Sequence, residues 1–147
     1  MHCAALQKDP SLIKVLVDLG ADIERRNNDG LTPLLVAARN IKLELVRMLL
    51  HLGADIHVVD YLHRSALHLS TYYGSYSAQV TDLLLSKGAC PDSSDLKGMT
   101  PMHYSILTGS KETAKLLIQA ELYVNACIKR RHWDLFGEAA RRLSVFP

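Results

Sequence analysis

Long apolar runs are absent from this 147-residue chain: no stretch of about 18 apolar residues is available to cross a membrane as a helix. No signal-peptide pattern opens it either. Cysteine is scarce. Cys3, Cys90 and Cys127 are odd in number and far apart, and no CxxC occurs. That excludes a disulfide framework and leaves reduced thiols, which fit the cytoplasm or nucleus. Aromatic residues make up only 6% of the chain, while Leu and Ala recur throughout, so the composition favours helix. Charge of one sign is also lacking. Residues 1–126 carry a net −1 and residues 127–147 a net +3, so the overall +2 belongs to the tail. The body has no cationic excess for holding phosphates.

Catalytic signatures are missing as well. There is no HExxH or paired Cys/His zinc spacing, no Gly-rich phosphate loop, no GxSxG elbow and no kinase motif. The expectation is a chain that is not an enzyme and needs no cofactor or metal.

What the sequence does have is a repeat. Gly20-Ala21-Asp22 recurs as Gly53-Ala54-Asp55 and as Gly88-Ala89-Cys90. Thr32-Pro33-Leu34 recurs as Thr100-Pro101-Met102. The apolar residue after the Thr-Pro pair falls at Met1, Leu34, Leu67, Met102 and Leu135, at intervals of 33, 33, 35 and 33 residues. Within the second unit, Asp29-Gly30 signals a turn. Thr32 is placed to cap a helix, and Pro33 suits its first position. The pattern predicts a short helix over Pro33 to Arg39 and a second over Leu43 to His51, closed by Gly53. Helices this short are unstable alone, so neighbouring units must supply the burial.

The pattern DxxGxTPLHxAA followed by VxxLLxxGADxN resembles the ankyrin-repeat family. The matches are best in DGLTPLLVAA with LVRMLLHLGADI and in KGMTPMHYSI with AKLLI. The resemblance implies an all-α solenoid of stacked helix-turn-helix units joined by short hairpin turns. The expected array covers 1–126, as a partial repeat over 1–26 and repeats over 27–58, 59–93 and 94–126. Residues 127–147 are read as a degenerate cap or a basic tail. The chain opens at Met1 inside a repeat, which is read as a fragment or splice form of a longer protein.

Several positions depart from the pattern. His63-Arg64-Ser65-Ala66 stands where Gly-x-Thr-Pro is expected, and the same unit carries two extra residues around Gly74-Ser75-Tyr76-Ser77. Glu121 replaces a helix-ending glycine, at an expected cost of about 1 kcal/mol if it is forced into the left-handed region. In the tail, Trp133, Leu135 and Phe136 are candidates for packing on the fourth unit. Lys129-Arg130-Arg131-His132 is a candidate nuclear-import or nucleic-acid patch, and Arg141-Arg142-Leu143-Ser144 a candidate kinase site.

Of seven histidines, His2, His68 and His103 share one repeat position. In ankyrin repeats that histidine bonds within its turn and helix, so a structural role is expected rather than a metal site. The resemblance further implies a protein partner on the concave face, made of turn tips and the exposed ends of the first helices. The candidate partner-binding residues are Asn28, Asp29, Leu31, Arg39 and Asn40 in the second unit. In the third they are Tyr61, Leu62, Arg64, Tyr72 and Tyr73; in the fourth, Leu96, Lys97, Met99, Leu107 and Thr108. Tyrosines and an arginine in one stretch of groove make the third unit its expected centre. The alternatives are a nucleic-acid-associated regulator using the basic tail, and a structural spacer.

Overall fold

The computed structural model describes residues 11–72 and 77–122. The expectations for His2, Cys3, Tyr73, Tyr76, Cys127 and the tail over 127–147 lie outside the described residues. The helices in chain order are α1 (Ser11–Asp18), α2 (Pro33–Arg39), α3 (Leu43–His51), α4 (Ala66–Thr71), α5 (Ala78–Ser86), α6 (Pro101–Leu107) and α7 (111–122). Helices α2 and α3 begin and end where capping and periodicity predict. Among the described residues, the remaining regular structure is one isolated antiparallel bridge between Val59 and Ser65.

The stacking follows from which residues are apolar. In α2, Pro33 through Ala38 are all buried, so this short helix is covered nearly all round. In α3, Leu45, Val46 and Leu49 are buried on one face, and Glu44 and Arg47 point outward. Helix α2 packs on α3 within its unit and on α4 of the next; α4 repeats this with α5 and α6, and α3 meets α5. The result is an inner row of short helices (α2, α4, α6) behind an outer row (α3, α5, α7). Leu34, Leu35, Leu67, Val46, Leu49, Val80 and Leu84 form one continuous core through the units. At roughly 1.5–3 kcal/mol per buried aliphatic side chain, this burial outweighs the weak propensity of six- to nine-residue helices.

The outer helices end as the glycines imply. Gly53 takes φ +92, its N–H bonds the Leu50 carbonyl and the Ala54 N–H bonds the Leu49 carbonyl, satisfying two terminal acceptors. The fourth unit differs from expectation. α7 runs unbroken through Glu121 to residue 122, so Glu121 keeps helical backbone and bears no left-handed penalty. The non-glycine cost falls instead on Ile41 (φ +54) and His63 (φ +59). His63 stands where the neighbouring turns have Gly30 and Gly98, which share its positive φ. The turn geometry is therefore retained without its glycine.

Two polar devices complete the stack. His68 is 1% exposed: its Nδ1 accepts from the Ser65 N–H at 3.1 Å, and its Nε2–H donates to the Met99 carbonyl at 3.0 Å. The histidine thus ties its unit to the next, a wider reach than the turn and helix expected of it. Buried hydroxyls form the second device. Ser70 Oγ lies 3.1 Å from Thr81 Oγ1, and Ser77 Oγ lies 3.1 Å from Thr113 Oγ1. The inserted stretch therefore rejoins the core at Ser77, which is buried; its other members, Gly74, Ser75 and Tyr76, lie outside the described residues.

Candidate functional site

The turns before the inner helices build one wall of the groove. Each is organised by an Asn or Asp at its first position. Asn27 Oδ1 accepts from the N–H groups of Asp29 (3.0 Å) and Leu31 (2.9 Å). Asp60 Oδ1 accepts from Leu62 (2.9 Å) and Arg64 (2.8 Å). Asp95 Oδ1 accepts from Lys97 (2.8 Å) and Met99 (2.9 Å). These side-chain bonds close each turn on itself and shape its tip. They also touch one another. The Tyr61 ring lies over Gly30, where a Cβ would come within 2.6 Å of Cγ. Arg26 Nη1 donates to the carbonyls of Gly30 and Val59, and the Leu96 N–H donates to the Leu62 carbonyl at 3.1 Å.

Between these tips and the inner helices lies a cleft of about 700 Å3. Of the sequence-predicted residues, it brings together Asn28, Asp29, Leu31 and Arg39 from the second unit with Tyr61, Leu62, Arg64 and Tyr72 from the third. Tyr61 (62% exposed), Tyr72 (57%) and Leu62 (49%) leave about half or more of their surface open to solvent along the cleft. Arg64 is braced: its Nε and Nη2 lie 2.8 and 2.7 Å from Asp60 Oδ2. Asp60 is buried and fully occupied by these contacts, so the pair fixes the guanidinium at the groove wall.

Two predicted residues are not free groove surface. Leu31 is 1% exposed, because its side chain joins the core while its backbone closes the turn on Asn27. Asn40 is exposed, but its amide donates to the Val36 carbonyl at 2.7 Å and caps α2 instead. Tyr73 lies outside the described residues. The fourth-unit residues Leu96, Lys97, Met99, Leu107 and Thr108 do not line the cleft. They extend its walls, with Leu96, Lys97 and Leu107 exposed. Met99 and Thr108 are partly buried: the Met99 carbonyl receives His68, and Thr108 Oγ1 lies 3.3 Å from the Thr71 carbonyl.

Sequence reasoning missed three lining residues, His68, Leu69 and Tyr104. Tyr104 is the important one. Its ring meets Tyr72 edge-on at 6.3 Å and His68 at 5.8 Å, and its hydroxyl donates to Asp95 Oδ2 at 2.8 Å. The available signal was substitution by register: Tyr104 occupies the position of Val36 and Leu69, where an aromatic must project past the core. Burial pushes its hydroxyl pKa up, and the bond to Asp95 adds to this. Burial also pushes the Asp95 carboxyl up, but bonds from Tyr104, Met99 and Lys97 outweigh it and hold the carboxyl below its usual range. Burial lowers the His68 pKa, against the pull of the Met99 carbonyl and of Asp95, so the ring is neutral at pH 7. These titratable groups are committed to one another as braces. Among the described residues, no group of three or more His, Cys, Asp or Glu is placed to hold a metal.

Comparison with known proteins bears on the repeats themselves. A family model for ankyrin repeats matches residues 1–60 and 52–129. The chain belongs to the ankyrin-repeat family. It is similar to the transient receptor potential cation channel subfamily A member 1 of Drosophila melanogaster, at 31% identity over 87% of this chain and 11% of that protein. It is also similar to human inversin, at 32% over 81% of this chain and 11% of inversin. The tyrosine-protein kinase HTK16 of Hydra vulgaris matches at 29% over 99% of this chain and 19% of the kinase. The chain thus spans between a tenth and a fifth of these relatives, each a much longer protein. Ankyrin repeats are in general protein-interaction modules, and as domains they are typically non-enzymatic. Among the described residues, no helix of this ankyrin array is long and apolar enough to cross a membrane.

Proposed function

We propose that this chain is a protein-binding module, a scaffold or adaptor segment of a longer protein, whose partner lies along the groove and centres on Tyr61, Arg64 and Tyr72. The observation that carries the reading is the clustering of two half-exposed tyrosines, an exposed leucine and a braced arginine in one cleft of about 700 Å3. Tyr and Arg concentrate binding energy because they offer large area and polar tips at little conformational cost. Holding Arg64 against Asp60 means that less side-chain entropy is lost on binding. The proposal takes the module to act in the cytoplasm or nucleus, where exposed Cys90 remains a thiol.

The test compares Tyr72→Ala with Arg47→Ala against a verified partner by titration calorimetry. Arg47 lies on the outer helix, where its 3.8 Å contact with Glu44 is solvent-exposed and contributes little. Tyr72→Ala should weaken binding about thirtyfold, the equivalent of ~2 kcal/mol, and Arg47→Ala should leave it unchanged. Circular dichroism must accompany both, since Tyr72 also supports Tyr104. Equal affinity for wild type and a folded Tyr72→Ala protein would refute the groove.

A further inference from the structure

The fourth unit presents a face that the units before it bury. Ala38 and Thr71 hold matching positions in α2 and α4, and both are 0% exposed. Each lies in a helix on which the next unit stacks, α2 on α4 and α4 on α6. Ile106 holds the same position in α6 and is 69% exposed. The outer row repeats the contrast. Leu50 and Leu85 pack against the core, whereas their counterpart Ile118 is 49% exposed. Leu122, one turn further along α7, is 63% exposed. Apolar side chains at these positions are stacking surface, and no described residue covers them.

The polar device of the stack recurs here with half of it unused. His103 caps α6 as His68 caps α4: its Nδ1 accepts from the Thr100 N–H at 3.1 Å and lies 2.8 Å from Thr100 Oγ1. That arrangement leaves the ring hydrogen on Nε2. In His68 the equivalent N–H crosses to the Met99 carbonyl of the next unit at 3.0 Å. His103 is exposed, and its Nε2 has no partner among the described residues.

The chain itself carries an occupant. Leu135 stands 33 residues after Met102, the interval that separates Leu34 from Leu67, and Trp133 and Phe136 lie close beside it in sequence. Because α7 runs through Glu121 to residue 122, residues 123–132 are left to make the return. Ten residues reach up to roughly 33 Å when extended, against a helix-to-helix spacing of roughly 8–10 Å. The chain is long enough to come back onto the face.

We propose that residues 127–147 cap the array on this face. Trp133, Leu135 and Phe136 cover Ile106, Ile118 and Leu122. The His132 carbonyl, three residues before Leu135 as Met99 is before Met102, accepts from His103 Nε2–H. Such a cap closes an apolar stacking surface that would otherwise be open to a second copy of the chain. The proposal is independent of the groove reading, since the capped face lies at one end of the stack.

Trp133 is the single tryptophan, so the intact chain contains its own reporter. Its emission is expected at shorter wavelength in buffer than in urea, with several-fold weaker quenching by acrylamide, and unchanged on dilution. Ile106→Glu alters a position that the described units leave exposed. It should return emission and quenching to their urea values while far-UV circular dichroism keeps the signal of the repeats. Ile118→Glu repeats the test from α7, and Arg47→Ala on the outer helix α3 should change neither reading. Wild-type emission and quenching already at their urea values would overturn the proposal. So would protection of Trp133 that both glutamate variants leave intact, which puts the ring elsewhere, or protection lost on dilution, which puts it on a second copy.

Discussion

Gly30→Ala probes how the array shapes its groove, because two costs meet at one atom. Gly30 has φ +76, in the left-handed region, where an alanine costs about 1 kcal/mol. The added Cβ would also lie 2.6 to 2.8 Å from Cγ, Cδ1 and Cδ2 of Tyr61, against an ordinary carbon contact of roughly 3.5–4.0 Å. The ring must retreat by about 1 Å. Since it is 62% exposed it can swing toward solvent, so the clash converts to lost contact and a displaced rotamer, about another 1 kcal/mol. The substitution should cost about 2 kcal/mol in wild type but about 1 kcal/mol in a Tyr61→Ala background, where only the backbone strain remains. For a domain of this size that corresponds to melting-temperature drops of roughly 6 and 3 °C. Urea denaturation of the four proteins followed by far-UV circular dichroism reads the cycle directly. Equal losses in both backgrounds would mean that Tyr61 does not rest on Gly30.

Two further outcomes follow from particular residues. His63→Gly should stabilise the array by about 1 kcal/mol, measured by urea denaturation, because it removes the side chain from a φ of +59 while the exposed imidazole packs on little; an unchanged or lower midpoint would show that the turn holds His63 without strain. His68 has a folded pKa below its unfolded value of about 6.5, so the unfolded chain takes up a proton first as pH falls. Stability should therefore be lost below about pH 6.5, by at most ~1.4 kcal/mol per pH unit, and His68→Asn should show a shallower fall than wild type between pH 7.5 and 5.5 in denaturant titrations; parallel curves would refute the neutral-histidine brace.

The helices were legible because their causes are local. Thr32, Pro33 and the spacing of Leu45, Val46 and Leu49 define where α2 and α3 start and which face they bury. The groove was legible only in part, since register says which positions face it but not which side chains stay out. Leu31 and Arg64 share a register position, yet Leu31 enters the core and Arg64 is drawn to the wall by Asp60. Glu121 misled for a related reason: a missing glycine can mean strain, or a helix that continues, and only the surroundings of α7 decide. Tyr104 was missed because its register position, filled by Val36 and Leu69 in the other units, reads as core, and the aromatic substitution there was the one sign that it reaches the groove and Asp95.

The third unit is where local rule and architecture disagree most. It lacks the turn glycine and the helix-opening proline, yet it keeps both the positive φ at His63 and the cap at Ser65, whose N–H is received by His68. Neighbouring units hold it in that shape: Arg26 from below, His68 to Met99 and the Leu96–Leu62 bond from above. A unit whose conformation is imposed by its neighbours is released from having to encode it. Its turn positions are then open to residues chosen for other reasons. Here they hold Tyr61, Leu62 and Arg64, two exposed apolar side chains and a braced cation, which consensus turn residues would not provide. Sites that break local rules while the surroundings bear the cost are where function concentrates in folded proteins. On that argument the degenerate turn at 60–65 and the proposed centre of the groove have one origin: stacking relieves the middle of a solenoid of the need to specify itself.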